Sequence, residues 1–437
     1  MSTTMHINLD EIVNADASLI SRKAWSSQAI YELEKRAIFG KTWLFLAHES
    51  QIPNPGDFVQ AYMCETPIIV ARGSNGQVVA NINSCTHRGL PVCRAEAGNA
   101  KRFVCPYHNW SYTVEGELVT IPQESEVSTK PDKSQLGLKA VPRIDSWNGM
   151  IFGSFDEQIE PLDDYLGDMR FYLDAFFNRF PQGIEFIGGP QRWKLNANWK
   201  LPMENQLGDV NHGPFLHASI ISREAQTAIE ELGYSAVTTP GHGATFRLMP
   251  EDCPVEEVAW GFETMSAALA GEEVHQYLRE IQAQAAERVG PLRARMKGLT
   301  YGVYPNLSFL WSNAGFKVSH PRGPHQVEYW SWSVVPKDAP DSVKKVLRTN
   351  LTSFFGAGGI LEQEDSEAWT QQLIGSRIDF ADDRPYFYGL GLGEEKPHAD
   401  LPGMVACTAN EHYARSFFLR WRDTLAAQQA QDSQRAK

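Results

Sequence analysis

The chain has 437 residues, too many for one ordinary hydrophobic core and enough for two or three domains. Hydrophobic residues make up 42% and charged residues 21%, with no run of roughly 18 apolar residues, so a globular protein that does not span a membrane is expected. A net charge of −13, six cysteines and no export leader argue against nucleic acid, an anionic membrane surface and a disulfide framework, and a cytoplasmic location is expected.

Residues 1–40 read as a helical lead-in, with Ser27 able to cap a helix carrying Ile30, Leu33, Ile38 and Phe39 at helical spacing. From Thr42 the pattern turns to strands. TPIIVARG and QVVANINS are joined by Ser74-Asn75-Gly76, a good hairpin turn, and WSYTVEGELVTIP carries a second turn at Glu115-Gly116. SWNGMIFGSF (146–155) closes a β-rich module over 41–157. The polar helical stretch PLDDYLGDMRFYLDAFF opens the remainder, 158–437. There strands such as RWKLNANWK and HQVEYWSWSVV mix with helices such as VEEVAWGFETMSAALA and DSVKKVLRTNLTSFF, and the charged stretch 271–296 reads as a solvated helix. The expected fold class is α+β, a small all-β module inserted after the N-terminal helix and followed by a larger mixed domain.

Chemistry first appears in CTHRGLPVCRAEAGNAKRFVCPYH, Cys85 to His108. One residue separates Cys85 from His87, two separate Cys105 from His108, and seventeen lie between the pairs. Structural zinc sites favour C-x2–4-C and H-x3–5-H pairs, so zinc fits these mixed pairs poorly. A [2Fe–2S] cluster fits better, because two thiolates can hold one iron and two imidazoles the other, which raises the reduction potential. Each pair follows a short strand and is expected at a hairpin tip, with Pro106 and Gly89 helping the backbone turn. Cys93 is left as a small buried residue.

A second group lies in NWKLPMENQLGDVNHGPFLH (198–217), where Asp209, His212 and His217 stand at i, i+3 and i+8. On an ideal helix the two histidines point about 140° apart, so a shared metal requires a backbone deviation, for which Gly213-Pro214 is the expected cause. A mononuclear non-haem iron(II) centre takes two imidazoles and one carboxylate and leaves positions open for O2. The carboxylate can be distant. FFGAGGILEQEDSEAW (354–369) offers Glu362, Glu364, Asp365 and Glu367, and an acidic run reads equally as a solvated helix face. Asp209 is a candidate for orienting a metal-bound histidine.

CTHRG…CPYHNW resembles the Rieske motif of aromatic-ring-hydroxylating oxygenase large (alpha) subunits, and D-x2-H-x4-H with the later G-x-A-G…E-x-D-D-x-E-x-W segment resembles their iron site. PNPGDF at 53–58 and HPRGP at 320–324 extend the likeness over nearly the whole chain. Two features depart from the pattern: Glu364 stands where many members have Asp, and Pro214 is unusual within the histidine motif.

The resemblance implies a Rieske domain followed by a catalytic domain built on a curved antiparallel sheet flanked by helices. It implies one [2Fe–2S] cluster on Cys85, His87, Cys105 and His108, and one mononuclear Fe(II) on His212, His217 and Asp365, per protomer. Asp209 is implied to join His212 to the Rieske histidine matching His108 on an adjacent subunit, which makes a trimer the catalytic unit, α3β3 with a small β subunit or α3. Pocket walls match Asn205, Gln206, Phe355 and Leu361. Electrons are expected from NAD(P)H through a separate reductase, with or without a ferredoxin, since GSNG and GAGG lack the context of a nucleotide-binding fingerprint. The expected reaction is dihydroxylation of an aromatic ring with O2. Gln206, a polar side chain among these walls, points to an arene bearing a polar or carboxylate group. The alternatives are a Rieske monooxygenase and a Rieske electron-transfer protein without oxygenase chemistry.

Overall fold

The computed structural model describes residues 6–220, 233–239, 241–253, 262–311 and 314–435, the side chains of 262–270 excepted. The backbone divides into two units, one over 39–162 and one made of 1–38 together with 163–437.

The smaller unit is all antiparallel sheet apart from short 3-10 turns. Its strands are β1 (Leu44–His48), β2 (Asp57–Met63), β3 (Thr66–Arg72), β4 (Val78–Ile82), β5 (Ala97–Asn99), β6 (Arg102–Val104), β7 (Ser111–Thr113), β8 (Leu118–Thr120), β9 (Arg143–Trp147) and β10 (Met150–Ser154). They form a four-stranded sheet in the order β4-β3-β2-β5 and two three-stranded sheets, β6-β7-β8 and β9-β10-β1. The turn after β3 is closed by Gly73 N–H donating to the Gln77 carbonyl at 2.8 Å, and Gly76 takes a φ of +81° that a Cβ would strain. Phe58, Ile69, Phe103, Tyr112 and Leu118 form the core between the first two sheets, and Cys85 and Cys105 are buried against it.

In the larger unit, Ser27 caps α1 (Gln28–Ala37), its hydroxyl accepting from Ile30 N–H at 3.3 Å. Then come α2 (Met169–Phe177), β11 (Ile184–Leu195), α3 (Lys200–Gly208), α4 (Gly213–Leu216), β12 (Gly233–Thr238), β13 (His242–Leu248), α5 (Phe262–Val289), β14 (Met296–Val303), β15 (Leu307–Leu310), β16 (Gly315–Pro321), β17 (Val327–Pro336), α6 (Asp341–Phe355), α7 (Ile360–Ser376), β18 (Lys396–Pro397), β19 (Met404–Cys407) and α8 (His412–Arg435). The expected helix over 255–270 is seen from Phe262 onward; 255–261 lie outside the described residues. The strands make one antiparallel sheet, β11-β17-β16-β15-β14-β13-β12-β19-β18, nine strands among the described residues.

Helix α3 lies against the middle of this sheet, on β13, β14 and β15. Two glycines allow that approach: a Cβ on Gly243 would come within 2.6 Å of the Leu207 carbonyl, and one on Gly302 within 2.6 Å of the Leu207 side chain. A buried ionic node ties α3 to both ends of the chain. Glu34 on α1 accepts from Lys200 Nζ at 2.5 Å, Trp199 Nε1 at 2.9 Å and Trp421 Nε1 at 2.8 Å. This explains why the first 38 residues pack with the larger unit although the β module separates them in sequence.

Candidate metal centres

The two Cys-His loops share one backbone device. In the first, Cys85 N–H donates to the Leu90 carbonyl at 2.8 Å and Gly89 N–H to the Cys85 carbonyl at 2.7 Å. In the second, Cys105 N–H donates to the Trp110 carbonyl at 2.9 Å and Asn109 N–H to the Cys105 carbonyl at 3.0 Å. The fifth residue of each turn has a positive φ, +79° at Gly89 and +56° at Asn109, so glycine and asparagine stand where the turn needs them. The histidine falls at the third position of one loop and the fourth of the other. The second loop is a hairpin tip, closed by Val104 pairing with Ser111. The first is not: it crosses from β4 to β5, opposite edges of the four-stranded sheet, a correction to the expectation of two hairpins.

Both cysteines are buried and free, and Cys93 is buried as expected. The His87 and His108 rings lie 4.6 Å apart between centroids, His87 stacks on Trp110 at 4.7 Å, and His87 Nδ1 is buried with no hydrogen-bond partner among the described residues. Two buried thiols, two adjacent imidazoles and an unsatisfied ring nitrogen fit a cluster with mixed ligands. Tyr112, which motif reading passed over, reaches Cys85 Sγ with its hydroxyl at 3.2 Å and Thr86 Oγ1 at 3.0 Å. Its alternation with core residues along a short strand gave no hint of that role.

In the larger unit, α3 ends at Gly208 and the chain passes through extended backbone at Asp209 before α4, a single turn with His212 at its N-cap and His217 at its C-cap. Gly213-Pro214 therefore does not break a helix. Pro214 sits in the first turn of a new one, where its missing N–H costs nothing, and the break falls at Asp209 instead. The ring centroids of His212 and His217 are 5.1 Å apart. Their Nε2 atoms face Asp365 Oδ1 from α7 at 3.4 and 3.3 Å. Ligand atoms of His212, His217 and Asp365 lie within 4.8 Å of one another, the one such group among the described residues.

The four acids of the α7 run meet four different fates. Glu362 is buried and paired with Lys317 of β16, Glu364 faces His217, Asp365 faces both histidines, and Glu367 is exposed and bonded to Gln371. A sequence signal for this existed. Leu361, Asp365, Trp369 and Leu373 recur every fourth residue and are all buried, so Asp365 is the acid that continues an apolar stripe.

The trio is built for positive charge. Burial disfavours charging the His212 ring, but hydrogen bonds to Asp209 and Asp365 outweigh it and push its pKa up to about 10. Burial likewise works against the Asp365 carboxylate, yet contacts with His212 and His217 hold it below the usual carboxylate range. Asp365 Oδ1 is buried and, among the described residues, has no hydrogen-bond partner beyond these two rings. Two imidazole nitrogens converging on one such oxygen fit a divalent metal with positions left open.

Behind His212, Nδ1 lies 3.4 Å from Asp209 Oδ1 and 3.4 Å from Asn205 Nδ2, and Gln206 Nε2 reaches Asn205 Oδ1 at 3.1 Å. Gln206 Oε1 is buried with no partner among the described residues. Asp209 also lines a 360 Å³ cleft with Glu204, Asn205, Tyr388, Glu411 and Tyr413. Burial raises Glu204 to about 8 there, and its carboxylate accepts from the Tyr388 hydroxyl at 2.9 Å. Phe355 and Leu361 pack together with Leu310 and Leu351, while Asn205 and Gln206 belong to the His212 side.

With this geometry in place, the comparisons with known proteins are specific. Residues 42–131 match the Rieske [2Fe-2S] domain and 162–427 the catalytic domain of the ring-hydroxylating alpha subunit. The chain is 34% identical to biphenyl dioxygenase subunit alpha of Metapseudomonas furukawaii over 94% of its own length and 91% of that protein's. It is 33% identical to benzene 1,2-dioxygenase subunit alpha of Pseudomonas putida over 94% and 92%. It superposes on naphthalene 1,2-dioxygenase with indole bound in the active site at a TM-score of 0.87 and 31% identity, covering 96% and 95% of the two chains. The fold and both sites thus define a Rieske non-haem iron oxygenase. The chain belongs to the alpha subunits of the aromatic-ring-hydroxylating dioxygenases, a family that carries a [2Fe–2S] cluster and a non-haem iron.

Proposed function

We propose that the chain is the terminal oxygenase subunit that converts an arene bearing a polar, oxygen-containing substituent to a cis-dihydrodiol. The ring takes up both atoms of O2 together with two electrons and two protons. Cys85, Cys105, His87 and His108 hold the cluster that receives electrons from a ferredoxin or an NAD(P)H reductase, and His212, His217 and Asp365 hold the iron. Iron in that setting supplies open positions for O2. Asp209 passes electrons toward His212 from a neighbouring subunit's cluster, which makes a trimer, with or without a β subunit, the working unit.

The observation that carries the substrate reading is the unmatched amide of Gln206 two hydrogen bonds from His212. A ring that gives Nε2 to a metal keeps its hydrogen on Nδ1. Asn205 then turns its oxygen toward that N–H and its NH2 toward Gln206, because an amide NH2 facing a ring N–H has no acceptor. Gln206 turns in step, its carbonyl accepting from that NH2, and its own NH2 then takes the unpartnered position now held by Oε1, a donor that matches a carboxylate, carbonyl or nitro oxygen. A bare hydrocarbon leaves it unpaired, at a cost of about 1–3 kcal/mol.

The test is turnover of aromatic acids and unsubstituted arenes under 18O2 with a reconstituted electron chain, alongside metal and sulfide analysis. Three irons, two sulfides and a diol with two labelled oxygens are expected. One labelled oxygen means monooxygenation, and two irons with full activity mean that the second site is misassigned.

A further inference from the structure

The two histidines of the trio are supported unequally. His217 Nδ1 lies 2.7 Å from Glu364 Oε2, within the range of a charge-assisted hydrogen bond, whereas the partners of His212 Nδ1 stand at 3.4 Å. Glu364 and Asp365 are consecutive on α7, and they bracket opposite edges of one ring: Oε2 of the first faces Nδ1, and Oδ1 of the second faces Nε2 at 3.3 Å. The other oxygen of Glu364 is occupied too, accepting from the Ser219 hydroxyl at 3.2 Å. Ser219 follows His217 by two residues, so the chain segment bearing the ligand also grips the carboxylate that supports it.

We propose that Glu364 is the positioning residue for His217, accepting its Nδ1 hydrogen and so committing Nε2 to the metal, with Ser219 holding the carboxylate in place. His217 is then the anchored ligand and His212 the compliant one, its ring free to adjust as Asp209 engages. The proposal rests on the reading that the trio holds iron. A carboxylate behind a metal-bound imidazole typically accounts for a 10- to 100-fold difference in metal affinity. The extra methylene of glutamate supplies the reach here.

The experiment is anaerobic equilibration of the full chain, stripped of mononuclear iron, against buffered free Fe(II), with bound metal measured directly and the cluster chromophore recording an intact fold. Glu364→Gln and Glu364→Ala should weaken Fe(II) binding by about 10- to 100-fold. Ser219→Ala should do so less, and Asp209→Asn, whose carboxylate stands 3.4 Å from its ring instead of 2.7 Å, should weaken binding less than either Glu364 variant. The melting temperature of the iron-free protein should be unchanged in Glu364→Gln. Wild-type affinity in both Glu364 variants would overturn the proposal, as would a loss matched by a lower iron-free melting temperature, because Glu364 would then only support the fold. His217→Ala serves as the control on the underlying reading. If it retains iron, the trio is wrong, and if it is empty while the Glu364 variants bind normally, only the clamp is wrong.

Discussion

On the proposed reading, single side chains around His212 separate electron delivery from substrate choice. Asp209→Asn keeps the shape of the contact at 3.4 Å but removes the charge. Turnover should fall by at least ~100-fold with cluster and iron retained, the upper scale for groups behind a ligand. Rapid-mixing measurements of cluster reoxidation decide the cause, since normal reoxidation with lost activity assigns Asp209 to substrate chemistry. Gln206 makes the complementary case. Gln206→Phe should lower kcat/KM on a carboxylate-bearing arene by roughly 5- to 150-fold while sparing naphthalene or biphenyl, the scale of one unpaired buried polar group. Gln206→Glu should reject the acid through like charge and leave the hydrocarbon unaffected. If each variant lowers both substrate types equally with iron retained, Gln206 only packs.

Elements carry the stability that keeps these side chains in place. The node of Glu34, Lys200 and Trp421 joins α1, α3 and α8 in a buried setting. Lys200→Met should cost about 3–5 kcal/mol by stranding the carboxylate, and adding Glu34→Gln should recover much of it. Denaturation midpoints of the two variants are the check, and equal midpoints refute the coupling. At the start of β13, His242 takes the Tyr304 N–H on Nδ1 and donates from Nε2 to the Tyr165 carbonyl, both at 2.9 Å, so its neutral form is built in. Burial, with Arg420 adding to it, lowers its pKa to about 4. The unfolded ring takes a proton near pH 6.5 and the native one refuses it, so this contribution is whole above that pH and fades as pH falls toward 4. The loss should reach about 3 kcal/mol. His242→Gln should flatten the acid limb of a stability–pH profile, and an unaltered limb sinks the assignment.

The strands, the α1 cap and the side chains that gather at each candidate site were legible because local chemistry dictates them. The crossover of the first Cys-His loop was not, since strand order is a long-range property that turn residues do not encode. Nor was the helix break at Asp209, because Pro214 draws the eye to a position where proline is harmless. Glu364 was visible only as one acid among four, its partner lying 147 residues away.

At the scale of the whole molecule, the proposed electron route makes a sharp prediction about mixed assemblies. On the proposed assignments, Cys105→Ser removes a cluster ligand and His217→Ala an iron ligand, so each protein alone should be inactive. Co-assembled, they should regain part of the activity, because a chain with only a cluster can serve a neighbour with only an iron. Mixed preparations that stay dead, with both cofactors verified, rule out transfer between chains.

The ionic node also sets an order of events during synthesis. The β module, residues 39–162, is continuous and can close around Cys85 and Cys105 as soon as it leaves the ribosome. Helix α3, which leads into the His212 and His217 turn, has no such freedom. Its Lys200 finds Glu34 early, but Trp421 arrives only when the last helix is made. A stalled or truncated chain therefore carries a finished cluster unit and an unfinished iron site, and a nascent chain is ready for its iron–sulfur group long before it can hold the metal that uses the electrons.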